Sequence, residues 1–169
     1  MKIKTLVLGK DETNCYLLEM NRYILIIDPA DEFSKIEKAI GNKKVIGVLI
    51  THHHESHTKA LKEIEEKYKV KVFDCHNLRE GHHRIKHFKF EAIKTPGHSR
   101  DGMSYYFVNE KAMFTGDTVL KGSVGQIERP RCLNKSIIKI KKYPNNTVIY
   151  PGHGDKTKMK DEKEENPYF

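Results

Sequence analysis

Four separate strand-forming runs break off into short segments that carry metal-ligating side chains. Val45–Ile50 leads into Thr51-His52-His53-His54-Glu55-Ser56-His57, and the run ending at Ile93 leads into Thr95-Pro96-Gly97-His98. Lys111–Thr115 leads into Gly116-Asp117-Thr118, and Thr147–Tyr150 leads into Pro151-Gly152-His153-Gly154. Loops at strand ends are where rigid scaffolds place reactive groups. Gly97, Gly116, Gly152 and Gly154, beside His98, Asp117 and His153, permit the tight turns that aim a side chain into a shared cleft. Imidazole and carboxylate together are the ligand set of zinc or iron. A fortuitous polar loop explains one such segment but not four. Of the ten histidines, His76, His82, His83 and His87 fall outside the pattern and read as surface residues.

The rest of the chain supplies a frame for these ends. Ile3–Leu8, Cys15–Glu19 and Tyr23–Ile27 read as strands, the last two as a hairpin around Met20-Asn21-Arg22. Asp28-Pro29 ends the third strand, because proline cannot donate to a continuing ladder. Ser34–Ile40 fits a short amphipathic helix stopped by Gly41. The continuous apolar run Val45–Ile50 predicts a strand buried on both faces. Thr58–Lys69 reads as one helix and Val70–Phe73 as a short strand. In His87–Ile93, Phe88, Phe90 and Ala92 share one face. Ser104–Val108 and Lys111–Thr115 form a second hairpin, Lys135–Lys142 a helix and Thr147–Tyr150 a strand. Lys156–Glu165 reads as a solvated surface segment. Strands alternating with helices in two similar halves predict two packed sheets with helices outside. At 169 residues without an internal linker, residues 1–169 are expected to form one domain.

Composition narrows the partners. The formal charge of +8 comes from 31 Lys and Arg against 23 Asp and Glu, but acids are interleaved through the lysine-rich stretches. A nucleic-acid binder concentrates its charge on one stripe with aromatics between, so nucleic acid is not expected as a partner. No apolar stretch approaches the roughly 20 residues of a membrane span. The N-terminal Met1–Thr5 alternates like a strand and lacks the apolar block of a signal peptide. Cys15, Cys75 and Cys132 are odd in number and widely spaced, which fits a reducing compartment; a cytoplasmic location is expected.

An ordered set of motifs carries a family resemblance along nearly the whole chain. It runs from Asn14-Cys15-Tyr16-Leu17-Leu18 and Ile27-Asp28-Pro29 through the histidine cluster, Thr95-Pro96-Gly97-His98 and Thr115-Gly116-Asp117-Thr118. Lys121-Gly122-Ser123-Val124-Gly125, Pro151-Gly152-His153-Gly154 and Asn166-Pro167-Tyr168-Phe169 complete it. The chain resembles the metallo-β-lactamase-fold hydrolases, and within them the small glyoxalase II-like branch. The resemblance implies an α/β fold, a four-layer αββα sandwich of two mixed sheets, with a metal site along one edge. It also implies one metal on His52, His54 and His98, a second on His57 and His153, and Asp117 bridging both as the catalytic carboxylate. Zinc is the expected ion, as one or two per chain, with iron or manganese as alternatives.

One position departs from the pattern. The family motif His-x-His-x-Asp-His has Ser56 at its aspartate, so the second site lacks a charged ligand. The implied activity is hydrolysis of a thioester or a related small acyl substrate by a metal-bound hydroxide. The glutathione-type thioesterases of the family carry a further helical domain, and the chain ends at Phe169. Other chemistries of the superfamily are iron-dependent persulfide dioxygenation through His52, His98 and Asp117, RNA cleavage, and metal binding without turnover.

Overall fold

The computed structural model describes residues 1–169. Its first sheet has the order β1 (Lys2–Leu8), β2 (Thr13–Met20), β3 (Tyr23–Ile27), β4 (Lys44–Leu49) and β5 (Val72–Phe73). The first three strands pair antiparallel, and β3, β4 and β5 pair parallel. The second sheet runs β11 (Thr157–Lys158), β10 (Val148–Pro151), β9 (Ala112–Gly116), β8 (Met103–Phe107), β7 (Phe88–Lys94), β6 (Gly81–Ile85). Here only β9 and β10 pair parallel. The helices are α1 (Phe33–Ile40), α2 (Glu55–Thr58), α3 (Leu61–Tyr68), α4 (Pro130–Ile140) and α5 (Met159–Glu165).

Strand alternation sorts the apolar residues into three layers. Tyr16 and Leu18 of β2, Leu25 and Ile27 of β3 and Leu49 of β4 face Phe88, Phe90, Tyr105, Phe107 and Phe114 between the sheets. The intervening residues Leu17, Ile24, Ile26 and Val48 turn the other way, against Ile36 and Ile40 of α1 and Ile64 of α3. On the far side Ile93, Tyr106, Met113 and Ile149 pack on Leu133, Ile137 and Ile140 of α4 and Met159 of α5. Sheets covered on both faces require strands that are apolar throughout, which is why β2, β3 and β4 show little polar alternation. The fold is the expected αββα sandwich.

Four segments differ from the sequence reading. The helix expected over Thr58–Lys69 begins only at Leu61, as α3, after the separate turn of α2, and at the junction the Ala60 amide donates to Pro29 O at 3.1 Å. Helix α4 starts at Pro130, five residues before the expected start at Lys135, with proline in its first turn where no amide partner is needed. The segment read as solvated, Lys156–Glu165, contains β11 and α5 and buries both Met159 and Glu162. Strand β6 was not expected. It is an edge strand whose only large apolar residue is Ile85.

The two sheets are tied together at the end where the histidine-bearing loops emerge. Asn14 on β2 donates its backbone N–H to Gly152 O at 2.7 Å. Its side-chain Nδ2 donates to Pro151 O at 3.0 Å and Gly154 O at 2.9 Å. Met103 N, on the second sheet, donates to Thr51 O at 2.7 Å. Replacing buried Asn14 by Ala removes both side-chain donations and leaves Gly154 O without its partner, while Pro151 O keeps the Tyr16 hydroxyl. We expect a loss of about 2 kcal/mol in unfolding free energy, read from the denaturant midpoint. A midpoint unchanged from the parent would show that the two sheets do not depend on this tie.

Candidate metal centre

Each strand end delivers one or more donors to a single cluster. His52 and His54 follow β4, His57 lies on α2, His98 follows β7, Asp117 follows β9 and His153 follows β10. The facing nitrogens of His52, His54 and His98 lie within 4.8 Å of one another, as do the donor atoms of His52, His57 and Asp117. Asp117 Oδ1 is 3.5 Å from His57 Nε2, and its Oδ2 is 3.4 Å from both His98 Nε2 and His153 Nε2. All six residues singled out in the sequence therefore meet at one place.

The surroundings choose which ring nitrogen faces inward. His98 Nδ1 donates to Gln126 O at 2.8 Å, and His153 Nδ1 donates to Asp11 O at 3.0 Å. His57 Nδ1 donates to Asp28 Oδ2 at 2.9 Å, and His52 Nδ1 is 3.1 Å from Thr51 Oγ1. Each of these four rings turns Nε2 toward the cluster. His54 is the opposite case. Its Nδ1 lies 3.0 Å from His98 Nε2, and its Nε2 faces Glu128 Oε1 at 3.8 Å. Outer partners that fix tautomer and ring orientation in this way are the usual companions of metal-ligating histidine.

Three side-chain atoms at the centre are buried without any hydrogen-bond partner: His52 Nε2, His57 Nε2 and Asp117 Oδ1. Unpaired buried polar atoms are costly, and a cation among them would satisfy all three. The facing pair His54 Nδ1 and His98 Nε2 sits near the separation of about 3.3 Å that two tetrahedral zinc ligands adopt. The backbone approaches the cluster closely at two glycines. A Cβ on Gly152 would lie 2.1 Å from Asp117 Oδ1 and 2.6 Å from His57 Cε1. One on Gly125 would lie 2.8 Å from His98 Nδ1. The donor set, its orphaned atoms and its glycine walls fit a metal ion.

Without a metal, protons hold the charges together. Burial pushes the Asp117 carboxyl up, but the His153 and His57 rings beside it outweigh that and hold the group well below the carboxylate range. Burial likewise pushes His57 down, while Asp117 and Asp28 outweigh it and lift the ring to about 10. His153 is raised by its hydrogen bond to Asp117. His52 is pushed down to about 2, chiefly by burial and then by the charge of His57.

The remaining histidines lie elsewhere. His53 points away from its neighbours, to Asp101 Oδ2 at 2.6 Å and Asp74 Oδ2 at 3.2 Å, with the His76 ring 5.5 Å off. His83 stacks on Phe90 and His87 lies beside Tyr23. Sequence reasoning gave no role to Asp28, whose carboxylate holds His57 and Thr51. Its signals were the Asp-Pro step closing a strand and its place in the Ile27-Asp28-Pro29 motif.

Comparison with known proteins agrees with this picture. The chain matches the family description "Metallo-beta-lactamase superfamily" over residues 8–84 and 80–153. It is 26% identical over 206 aligned positions to a probable metallo-hydrolase of Bacillus subtilis, YqgX, covering 100% of this chain and 98% of that protein. It is 30% identical over 154 positions to a hydroxyacylglutathione hydrolase of Bartonella henselae, covering 80% of this chain and 59% of that protein. The chain therefore spans only about six tenths of that relative's length. Among solved structures, the B3 metallo-beta-lactamase BLEG-1 superposes with a TM-score of 0.93 at 25% identity, over 99% of both chains. ETHE1 from Myxococcus xanthus gives 0.86 at 25% identity, over 99% of this chain and 84% of that one. By sequence, fold and the convergence of its histidines, the chain belongs to the metallo-beta-lactamase superfamily, with glyoxalase II-like relatives.

Proposed function

We propose that the chain is a metal-dependent hydrolase of a thioester or a related small acyl compound. In this reading His52, His54 and His98 hold the first ion, and His57, His153 and the shared carboxylate of Asp117 face a second position. Zinc suits the donor set best, since imidazole and carboxylate are its ligands, and iron or manganese can occupy the same donors. The observation that carries the reading is the presetting of the rings: four histidines each donate or offer Nδ1 to an oxygen outside the cluster and keep Nε2 for the centre.

A bound ion supplies an activated water and polarises the carbonyl it attacks. The chain's own part is positioning. Asp117, within 3.5 Å of three ring nitrogens, sets the common centre to which the loops are aimed. Asp28 holds His57 upright, and Gln126 O holds His98. Glu128 is exposed beside the outer nitrogen of His54, with its Oε1 3.8 Å from that nitrogen. The proposed substrate is a small molecule, and the glyoxalase II-like relatives supply the thioester class.

Ser56 occupies α2 between Glu55 and His57. A hydroxyl is neutral and a weak ligand, so the second position is the weaker of the two. A mononuclear iron centre on His52, His98 and Asp117 is the competing chemistry, because two histidines and a carboxylate leave positions open for oxygen.

Elemental analysis paired with a substrate panel decides between these. Hydrolysis of acyl thioesters by the zinc-loaded chain, abolished by a chelator, is the expected result. One tightly held iron with oxygen uptake on glutathione persulfide would replace the hydrolase reading. Gly152→Ala forces a methyl group onto Asp117 and His57, and we expect at least about a tenfold loss of zinc affinity from displaced ligands. Full affinity in that variant would remove Asp117 and His57 from the site. Ser56→Asp is expected to raise the bound metal from about one toward about two ions per chain. An unchanged ratio would show that position 56 does not face the second position.

A further inference from the structure

The polar C-terminal segment holds a buried carboxylate that the proposed chemistry does not use. Glu162 on α5 is 2% exposed. Its Oε1 accepts from Thr157 Oγ1 at 2.7 Å and from Gly122 N at 3.1 Å. Its Oε2 accepts from Gly122 N at 3.0 Å and from Asn166 Nδ2 at 2.7 Å. Asn166 Nδ2 also donates to Ser123 O at 2.9 Å. No lysine, arginine or histidine forms an ion pair with Glu162.

Burying a charge without a counter-ion is a poor way to gain stability, since apolar side chains of similar volume serve as well or better. What the carboxylate gains is one geometry. One of its donors, Gly122 N, belongs to the turn Leu120–Ser123, which is closed by Leu120 N to Ser123 O at 3.0 Å and Ser123 N to Leu120 O at 3.2 Å. That turn is the far end of a loop whose near end lies on the metal centre. Gly125 N donates to Asp117 O at 2.8 Å, and Gln126 O receives the Nδ1 proton of His98. Beneath the loop, Val119 and Val124 pack in the cluster that contains Met159 of α5, with Phe169 packed against it.

We propose that Glu162 and Asn166 are positioning residues: α5 is a clasp that sets the Asp117–Gln126 loop, and through it the carboxylate of Asp117 and the ring of His98, for metal binding. The proposal rests on the metal reading given above. Glu162→Gln replaces one acceptor oxygen by an amide among three neutral donors, while Asn166→Ala releases Ser123 O, one oxygen of Glu162 and the Tyr168 amide. Ile36→Val, in the core outside the other sheet, is the control for plain destabilisation.

The full chain is tested in two arms: amide exchange at Gly122 and Gly125, and zinc affinity by competition with a chelator. Both clasp variants are expected to speed exchange at the two glycines more than the control does, and to weaken zinc binding by about tenfold. Ile36→Val is expected to lower the melting temperature and leave zinc affinity unchanged. Clasp variants with the control's exchange rates, or with wild-type zinc affinity in a folded chain, would overturn the proposal. A wild-type chain that takes up no zinc would sink the metal reading, and the exchange arm alone would then decide the clasp.

Discussion

The carboxylate of Asp28 is the interaction on which the arrangement of the site depends. It stands at the end of β3 in the left-handed region, φ 50°, where the chain turns out of the sheet before Pro29. Its Oδ1 accepts from Thr51 N at 2.7 Å, and its Oδ2 accepts from Thr51 Oγ1 at 2.5 Å and His57 Nδ1 at 2.9 Å. One buried group thus joins the end of β3, the exit from β4 and the start of α2. Because the Thr51 hydroxyl is committed to Asp28, its oxygen is left to accept from His52 Nδ1. The tautomers of two inward-facing rings follow from this single carboxylate, so the strained backbone at Asp28 is repaid at the metal centre.

The same principle extends around the cluster with different partners. His98 and His153 are set by backbone carbonyls, which cannot titrate or rotate away. His54 alone has a half-exposed side chain and looks outward to an exposed carboxylate. The centre is therefore fixed on its inner side and adjustable at His54. Glycine at 152 and 125 lets backbone pass within contact of the donors, which removes space that water would otherwise fill.

How much of this is legible in the sequence depends on whether polarity or contact carries the signal. The layers were legible because β2, β3 and β4 are apolar on both faces, and the donor loops because histidine beside glycine recurs at strand ends. Asp28 carried no periodic signal; its role exists only when α2 folds back onto β3. Helix α5 was hidden because its sequence is polar and one of its two buried residues is Glu162 itself, so hydropathy reads it as solvent-facing. Strand β6 offers only Ile85 and pairs along one edge, where charge on an exposed rim looks like loop. The junction between α2 and α3 carries a tertiary hydrogen bond to Pro29, which no local propensity encodes.

Charge limits how many ions such a centre can hold. Two buried carboxylates reach it, Asp117 directly and Asp28 through His57. In the metal-free chain their charge is met by protons, which is why His57 and His153 are raised while Asp117 stays ionised. A single dication replaces those two protons with no change in net charge, so metal and protons compete for the same positions. A second dication has no further carboxylate to meet it, since position 56 is a serine. At about 4 Å, two unit charges repel by roughly 4 kcal/mol even with a dielectric near 20, and two dications by about four times that. The balance between one ion and two is thus a matter of one negative charge, and the side chain at position 56 is where the family pattern would place it.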